Sequence, residues 1–207
     1  EEINRLVTDR LSDLLLTPDK LSIDNLNKEG TAENRIRFIG NIMIDTLEAN
    51  RELATGLNIK DIVKNNYHKD QPAKQWEFQP DKLASVTMHR PSNVDYKEIL
   101  SAIVNFLINE VVNDMPVIWS VHPRTEKQLK TFGLWDDLKI CSGILLLYPL
   151  GYHEMLKLNM ESRIMLTDSG GLQEECTVLG TPCLTLRWNT ERPITLKEHG
   201  GASVLVG

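Results

Sequence analysis

The chain has 207 residues, of which 41% are hydrophobic and 25% charged, and carries a formal net charge of −6 at pH 7. That length supports one good core, or one domain and part of another. No apolar run approaches the roughly 20 residues of a membrane span, no signal-like start is present, and no basic stripe exists to neutralise a nucleic-acid backbone. A soluble chain with neither a membrane nor a nucleic acid as partner is therefore expected.

Ile3, Leu6, Val7 and Leu11 recur at helical spacing, and the apolar run ending at Pro18 reads as a strand. A helix over 19–29 stops at Gly30, a strand covers 35–39, and Gly40-Asn41 punctuates the entry to a long helix through Leu53. A short helix is expected over 59–67. The polar stretch 67–82, with Pro72 and Pro80, has the composition of a surface connection. Strands are then expected over 83–88, 116–121, 144–148, 163–167, 183–186 and 203–206, each pair separated by helix. Val-, Ile- and Leu-rich strands alternating with helices predict an α/β protein. Its sheet should be parallel and Rossmann-like, covered on both faces, with ligands at the carboxyl ends of the strands. Cys141, Cys176 and Cys183 are odd in number and lack CxxC spacing, which reads as reduced thiols in a cytoplasmic protein.

The chemistry-bearing residues fall where that topology places a ligand. Asp168-Ser169-Gly170-Gly171 joins a buried strand to a new helix, and small residues there let the helix N-terminus approach an anion. A tight connection of no further purpose is the plainer reading. Gln173, Glu174 and Glu175 fill the first turns, where carboxylates suit the helix dipole, although Glu175 could also accept ribose hydroxyls. His89 and Arg90 leave one strand and His122 the next, offering a titratable donor and a fixed charge for phosphate. The loop 187–193 adds two arginines around Glu191, which a surface salt bridge explains cheaply and anion binding explains better. His68, His153 and His199 have no partner at metal-ligand spacing and read as surface residues; no transition-metal motif is present. Glu1 and Glu2 read as dipole compensation at a helix start.

Several strings occur together and in a familiar order: Glu1-Glu2-Ile3-Asn4-Arg5, Phe38-Ile39-Gly40-Asn41, Val86-Thr87-Met88-His89-Arg90, Val121-His122-Pro123, Asp168 through Glu175, Leu179-Gly180-Thr181-Pro182, and Thr190-Glu191-Arg192-Pro193. Across nearly the whole chain they resemble the non-hydrolysing UDP-N-acetylglucosamine 2-epimerases. The resemblance implies a glycosyltransferase-B-like pair of Rossmann-like domains. Residues 1–40 would be the end of the first domain and 41–207 the UDP-binding second domain, incomplete at its C-terminus. It implies interconversion of UDP-N-acetylglucosamine and UDP-N-acetylmannosamine through UDP elimination and re-addition, in a cytoplasmic homodimer serving cell-surface polysaccharide biosynthesis, with no metal or nicotinamide cofactor. Carried over singly, Glu1 and His89 become the catalytic candidates. Arg90, His122, Ser169, Gly170, Gly171, Glu175 and Arg192 become the substrate-binding ones.

The departures set further expectations. The family's G-D-T aspartate, a further glutamate and the returning C-terminal helices do not occur in these residues, so a fragment with weak binding and poor turnover is expected. Leu150 and Met155 stand where some members place Gln and Phe near the uracil. Epimerisation of another UDP-sugar, a hydrolysing epimerase and a non-catalytic nucleotide-sugar module remain the alternatives.

Overall fold

A computed structural model describes residues 2–74 and 76–207. The chain divides into two compact units, 1–46 and 47–207. In the first, α1 (Glu2–Leu11) is followed by β1 (Leu15–Thr17), α2 (Lys20–Lys28) and β2 (Ile36–Phe38). The strands pair in parallel, Leu15 opposite Ile36, and the core is Leu15, Leu26 and Ile36. Asp19 starts α2 by accepting the Ser22 N–H at 2.7 Å, the side-chain cap that an aspartate before a helical run supplies. Arg5 bonds Asp9 and Glu29, each at 2.6 Å.

Helix α3 (Ile42–Thr55) leads into the second unit, where α4 (Ile59–Asn66) precedes β3 (Ala84–Thr87). Next come α5 (Pro91–Val94), α6 (Lys97–Phe106), a π-helical stretch Leu107–Val111, α7 (Val112–Asp114) and β4 (Val117–Ser120). Helices α8 (Pro123–Thr131) and α9 (Trp135–Ile140) lead to β5 (Ile144–Leu147). The chain continues through α10 (Tyr152–Glu161), β6 (Ile164–Thr167), α11 (Gly170–Leu179), β7 (Cys183–Thr185) and β8 (Ser203–Leu205). Every pairing is parallel, in the order β5-β4-β3-β6-β7-β8.

Side-chain alternation explains the layers. Val117, Trp119, Ile144 and Leu146 join a cluster with Leu100 and Val104 of α6 and Leu129 of α8. The intervening Ile118, Leu145 and Leu147 meet Val63 of α4 and Leu158 of α10 on the other face. Strands buried on both faces need helices on both, which is why they read as continuous apolar runs. The packing leaves no room at Gly143, where an added Cβ would lie 2.7 Å from the Val112 Cβ. Gly143→Ala is expected to cost about 1–3 kcal/mol by overpacking, measurable by urea unfolding; an unchanged midpoint would show that the α7 end yields freely.

The eight expected strands and their order of appearance are all observed, but the polar stretch 67–82 is more than a surface connection. Its first part covers the exposed edge of β5, whose unpaired main chain would otherwise invite another strand. The His68 N–H donates to Leu146 O at 3.0 Å, the Leu146 N–H donates to Gln71 Oε1 at 3.1 Å, and Lys74 Nζ donates to Cys141 O at 2.7 Å and Ile144 O at 2.5 Å. Burial lowers the Lys74 pKa. His68, expected at the surface, is instead 1% exposed. Its ring packs against Tyr148 and Trp135, at centroid distances of 4.3 and 4.9 Å. His153 is half-buried and bonds Asn50, while His199 is exposed as expected.

Candidate functional site

The strand order reverses its direction of growth between β3 and β6. In parallel α/β sheets the loops leaving the two strands at such a switch point diverge, and ligands bind in the crevice outside their carboxyl ends. Asp168, directly after β6, fastens the two loops together. Its fully buried carboxylate accepts the His89 N–H at 3.0 Å, the Arg90 N–H at 2.8 Å and Asn93 Nδ2 at 3.0 Å. The His89 Nδ1 stands 3.3 Å from Asp168 Oδ1. Asn93 also donates to Leu186 O at 2.8 Å, so the same amide reaches the exit of β7.

The His122 ring lies beside that of His89, with centroids 5.3 Å apart. Its Nδ1 accepts the Arg124 N–H at 3.2 Å, capping α8. Burial first, then the His89 and Arg124 charges, lower the His122 pKa against the pull of Asp168. The paired imidazoles thus face the crevice end of β3 and β4 with His122 biased toward its neutral form.

Opposite them, Ser169 is the N-cap of α11 but makes no capping bond with its side chain. Its own N–H donates to Thr167 Oγ1 at 3.1 Å. Gly170 and Gly171 open the helix, whose first-turn N–H groups have no carbonyl one turn back to receive them. Glu191 approaches this end, its Oε1 lying 2.9 Å from where a Gly170 Cβ would stand. It accepts Arg90 Nη2 at 2.9 Å and Arg187 Nη2 at 2.5 Å. Burial raises the Glu191 pKa, but the Arg187 hydrogen bond and the charges of Arg187 and Arg90 hold it at about 2.

The 190–195 loop is held on α11 by Gln173, whose buried Oε1 accepts Thr190 Oγ1 at 2.8 Å and Thr195 Oγ1 at 3.2 Å. Arg192 Nε lies 3.5 Å from Glu174 Oε1. Glu175, in the second turn, is 7% exposed. Burial, followed by the Glu174 charge, pushes its pKa up to about 7. The Tyr152 hydroxyl, raised by burial, also feels the Glu175 charge.

Thus His89, Arg90, His122, Ser169, Gly170, Gly171 and Arg192 all fall on loops or helix starts at the carboxyl end of the sheet, with Glu175 buried behind them. Glu1 lies outside the described residues. Gln173 and Thr190 stand inside the quoted motifs and Asn93 and Thr195 near them, but the roles of all four were hidden because each acts through a partner distant along the chain. Among the described residues, one group, His68, Asp70 and Glu126, comes within metal-ligand reach. Lys130 Nζ already binds both carboxylates, at 2.9 and 2.7 Å, and His68 Nδ1 accepts the Asp70 N–H. A cleft of about 380 Å³ lined by Trp76, Phe78 and Arg163 lies by the amino ends of β3, β4 and β6, away from the crevice.

The family model described as UDP-N-acetylglucosamine 2-epimerase matches residues 1–207. A UDP-N-acetylglucosamine 2-epimerase of Methanocaldococcus jannaschii is 40% identical over 208 residues, covering 100% of this chain and 54% of the relative. One from Methanococcus maripaludis is 38% identical over 213 residues, again covering 100% and 54%. The solved structure of the M. jannaschii UDP-GlcNAc 2-epimerase in complex with UDP-GlcNAc and UDP superposes with a TM-score of 0.81 at 40% identity, covering 100% of this chain and 54% of that one. The chain therefore spans about half the length of the curated relatives it matches. With its whole length matched and its parallel α/β sheet in place, this chain belongs to the UDP-N-acetylglucosamine 2-epimerase family.

Proposed function

We propose that this chain supplies the UDP-holding half of an enzyme that interconverts UDP-N-acetylglucosamine and UDP-N-acetylmannosamine. The observation that carries the proposal is the convergence of an uncapped helix start, at Gly170, with Arg90 across the crevice. Backbone N–H groups, the helix dipole and a guanidinium together suit a diphosphate. In this reading Ser169, Gly170 and Gly171 hold the diphosphate, with Arg90, Arg192 and His122 beside it. Glu175 accepts the ribose hydroxyls. His89 moves a proton near the phosphate-bearing carbon, its ring steadied by Asp168. Glu1 is assigned the role of the second acid-base group.

The reaction requires loss of the proton at carbon 2 and departure of UDP from carbon 1. Re-addition of UDP with a proton delivered to the opposite face of carbon 2 completes it. A site that performs this must retain the departed UDP, and a pre-formed anion cradle does so. We assign residues 1–40 to the end of a first Rossmann-like domain and 41–207 to the second. The parallel strand pair in residues 1–46 supports this, because Leu14, Leu16, Phe38 and Ile39 are exposed, whereas parallel sheets are normally covered on both faces. We further propose that the protein works as a cytoplasmic homodimer. Among the described residues no helix is long and apolar enough to cross a membrane.

Calorimetry with UDP tests the proposal. Ser169→Ala and Arg192→Ala are expected to weaken UDP binding, the arginine by roughly ten-fold or more as a charge-assisted contact is lost. His199→Ala, at an exposed position, should leave it unchanged. Equal affinity in all three would reject the site. With the full-length protein, UDP-N-acetylmannosamine as product supports the epimerase, whereas free sugar plus UDP indicates hydrolysis.

A further inference from the structure

The carboxylate of Glu191 sits where an anionic ligand would. Two guanidinium groups close on it, Arg90 at 2.9 Å and Arg187 at 2.5 Å, and it lies over the start of α11 at Gly170. Arg187 is unusual among these groups. Its side chain is only 9% exposed, and its buried Nη1 has no hydrogen-bond partner among the described residues. A desolvated guanidinium satisfied on one nitrogen by a single carboxylate retains donor capacity for a larger acceptor. Glu191 is more accessible, with 38% of its side chain exposed on the loop after β7. It can return to water without unfolding anything.

We propose that Glu191 is a place-holding carboxylate, which fills the phosphate seat in the empty chain and is displaced when a diphosphate takes Arg187 and Arg90 as its own ligands. The inference rests on the diphosphate reading of the crevice and adds to it a further anion-binding residue, Arg187, and an order of events. Because Glu191 is tethered beside its partners, its effective concentration is high and a weak monovalent anion competes poorly. A diphosphate bridges the helix start and both guanidinium groups at once, so it can win. The seat is then screened against small anions while its arginines stay neutralised between ligands, which limits the cost of holding the buried Arg187 charge beside that of Arg90.

The test is calorimetric titration of the chain and its Glu191→Gln variant with inorganic pyrophosphate and with UDP, at one salt concentration. Glu191→Gln should bind pyrophosphate roughly ten- to a hundred-fold more tightly, since a charge-assisted competitor has gone. Arg187→Gln should weaken binding by a similar factor and abolish the gain in the double variant. Glu191→Ala is the second probe, because glutamine can keep one arginine contact; thermal unfolding of each variant verifies its fold. Pyrophosphate binding that is unchanged, weaker or absent in both Glu191 variants overturns the proposal, whatever UDP does. Tighter pyrophosphate binding combined with no preference for UDP upholds the place-holder and rejects the nucleotide reading of the site.

Discussion

Asp168→Ala is expected to destabilise the second unit by about 3–5 kcal/mol, the cost of removing one partner from a buried charged network. Its carboxylate is fully buried and receives three donors: the His89 and Arg90 N–H groups and the Asn93 amide. Alanine would leave the His89 and Arg90 N–H groups without their acceptor and Asn93 with Leu186 O alone. Asp168→Asn keeps the shape but turns an NH₂ group toward N–H donors, so it should lose less, about 2–3 kcal/mol. Urea unfolding followed by tryptophan fluorescence measures this, because the four tryptophans, at 76, 119, 135 and 188, all lie in the 47–207 unit. A loss below about 1 kcal/mol for the alanine variant would mean that water or a shifted side chain satisfies the donors. UDP affinity should fall in both variants, because the β3 and β6 loops lose the group that sets their spacing.

That fastening role was not legible in the sequence, although Asp168 stands inside a motif that was. The strands were legible because each is a Val-, Ile- or Leu-rich run bounded by polar or turn-forming residues, as in Pro116 before β4 and Gly143 before β5. The ends of those strands pointed to His89, Arg90, His122 and Ser169 by topology alone. Side-chain pairings obey no local period. Asn93 and Asp168 are 75 residues apart, and Arg90 and Glu191 are 101 apart. The same limitation misplaced His68. Its neighbours Lys69 and Asp70 are polar, yet the main chain there lies along the β5 edge, which turns the ring onto Tyr148 and Trp135. The loop 187–193 offered two arginines and one carboxylate to the sequence reading; Arg187 does pair with Glu191, but Arg192 turns to Glu174 instead. What was missing was that Arg90, from a different strand end, also binds Glu191.

Glu175→Gln is expected to stabilise the empty protein at pH 8 while weakening its hold on UDP. Burial and the neighbouring Glu174 raise the Glu175 pKa from the ordinary 4.5 to about 7. Between those values the folded chain keeps a proton that the unfolded chain has released, so stability falls as pH rises through that window. Above about pH 7 the full cost is in place, on the order of 3 kcal/mol for a shift of this size. Glutamine removes the charge and with it the pH slope. The variant should therefore gain about 2–3 kcal/mol at pH 8 and nothing near pH 4, where both forms are neutral. Urea midpoints at the two pH values decide the point, and parallel slopes in the two proteins would place the titration elsewhere. A carboxylate held at such a cost beside the anion site is a candidate for function, because the same charge that costs stability gives a ribose diol its acceptor. UDP binding should accordingly strengthen as pH rises through 7 in the parent chain and be flatter across that range in Glu175→Gln, the stability and affinity slopes having opposite signs.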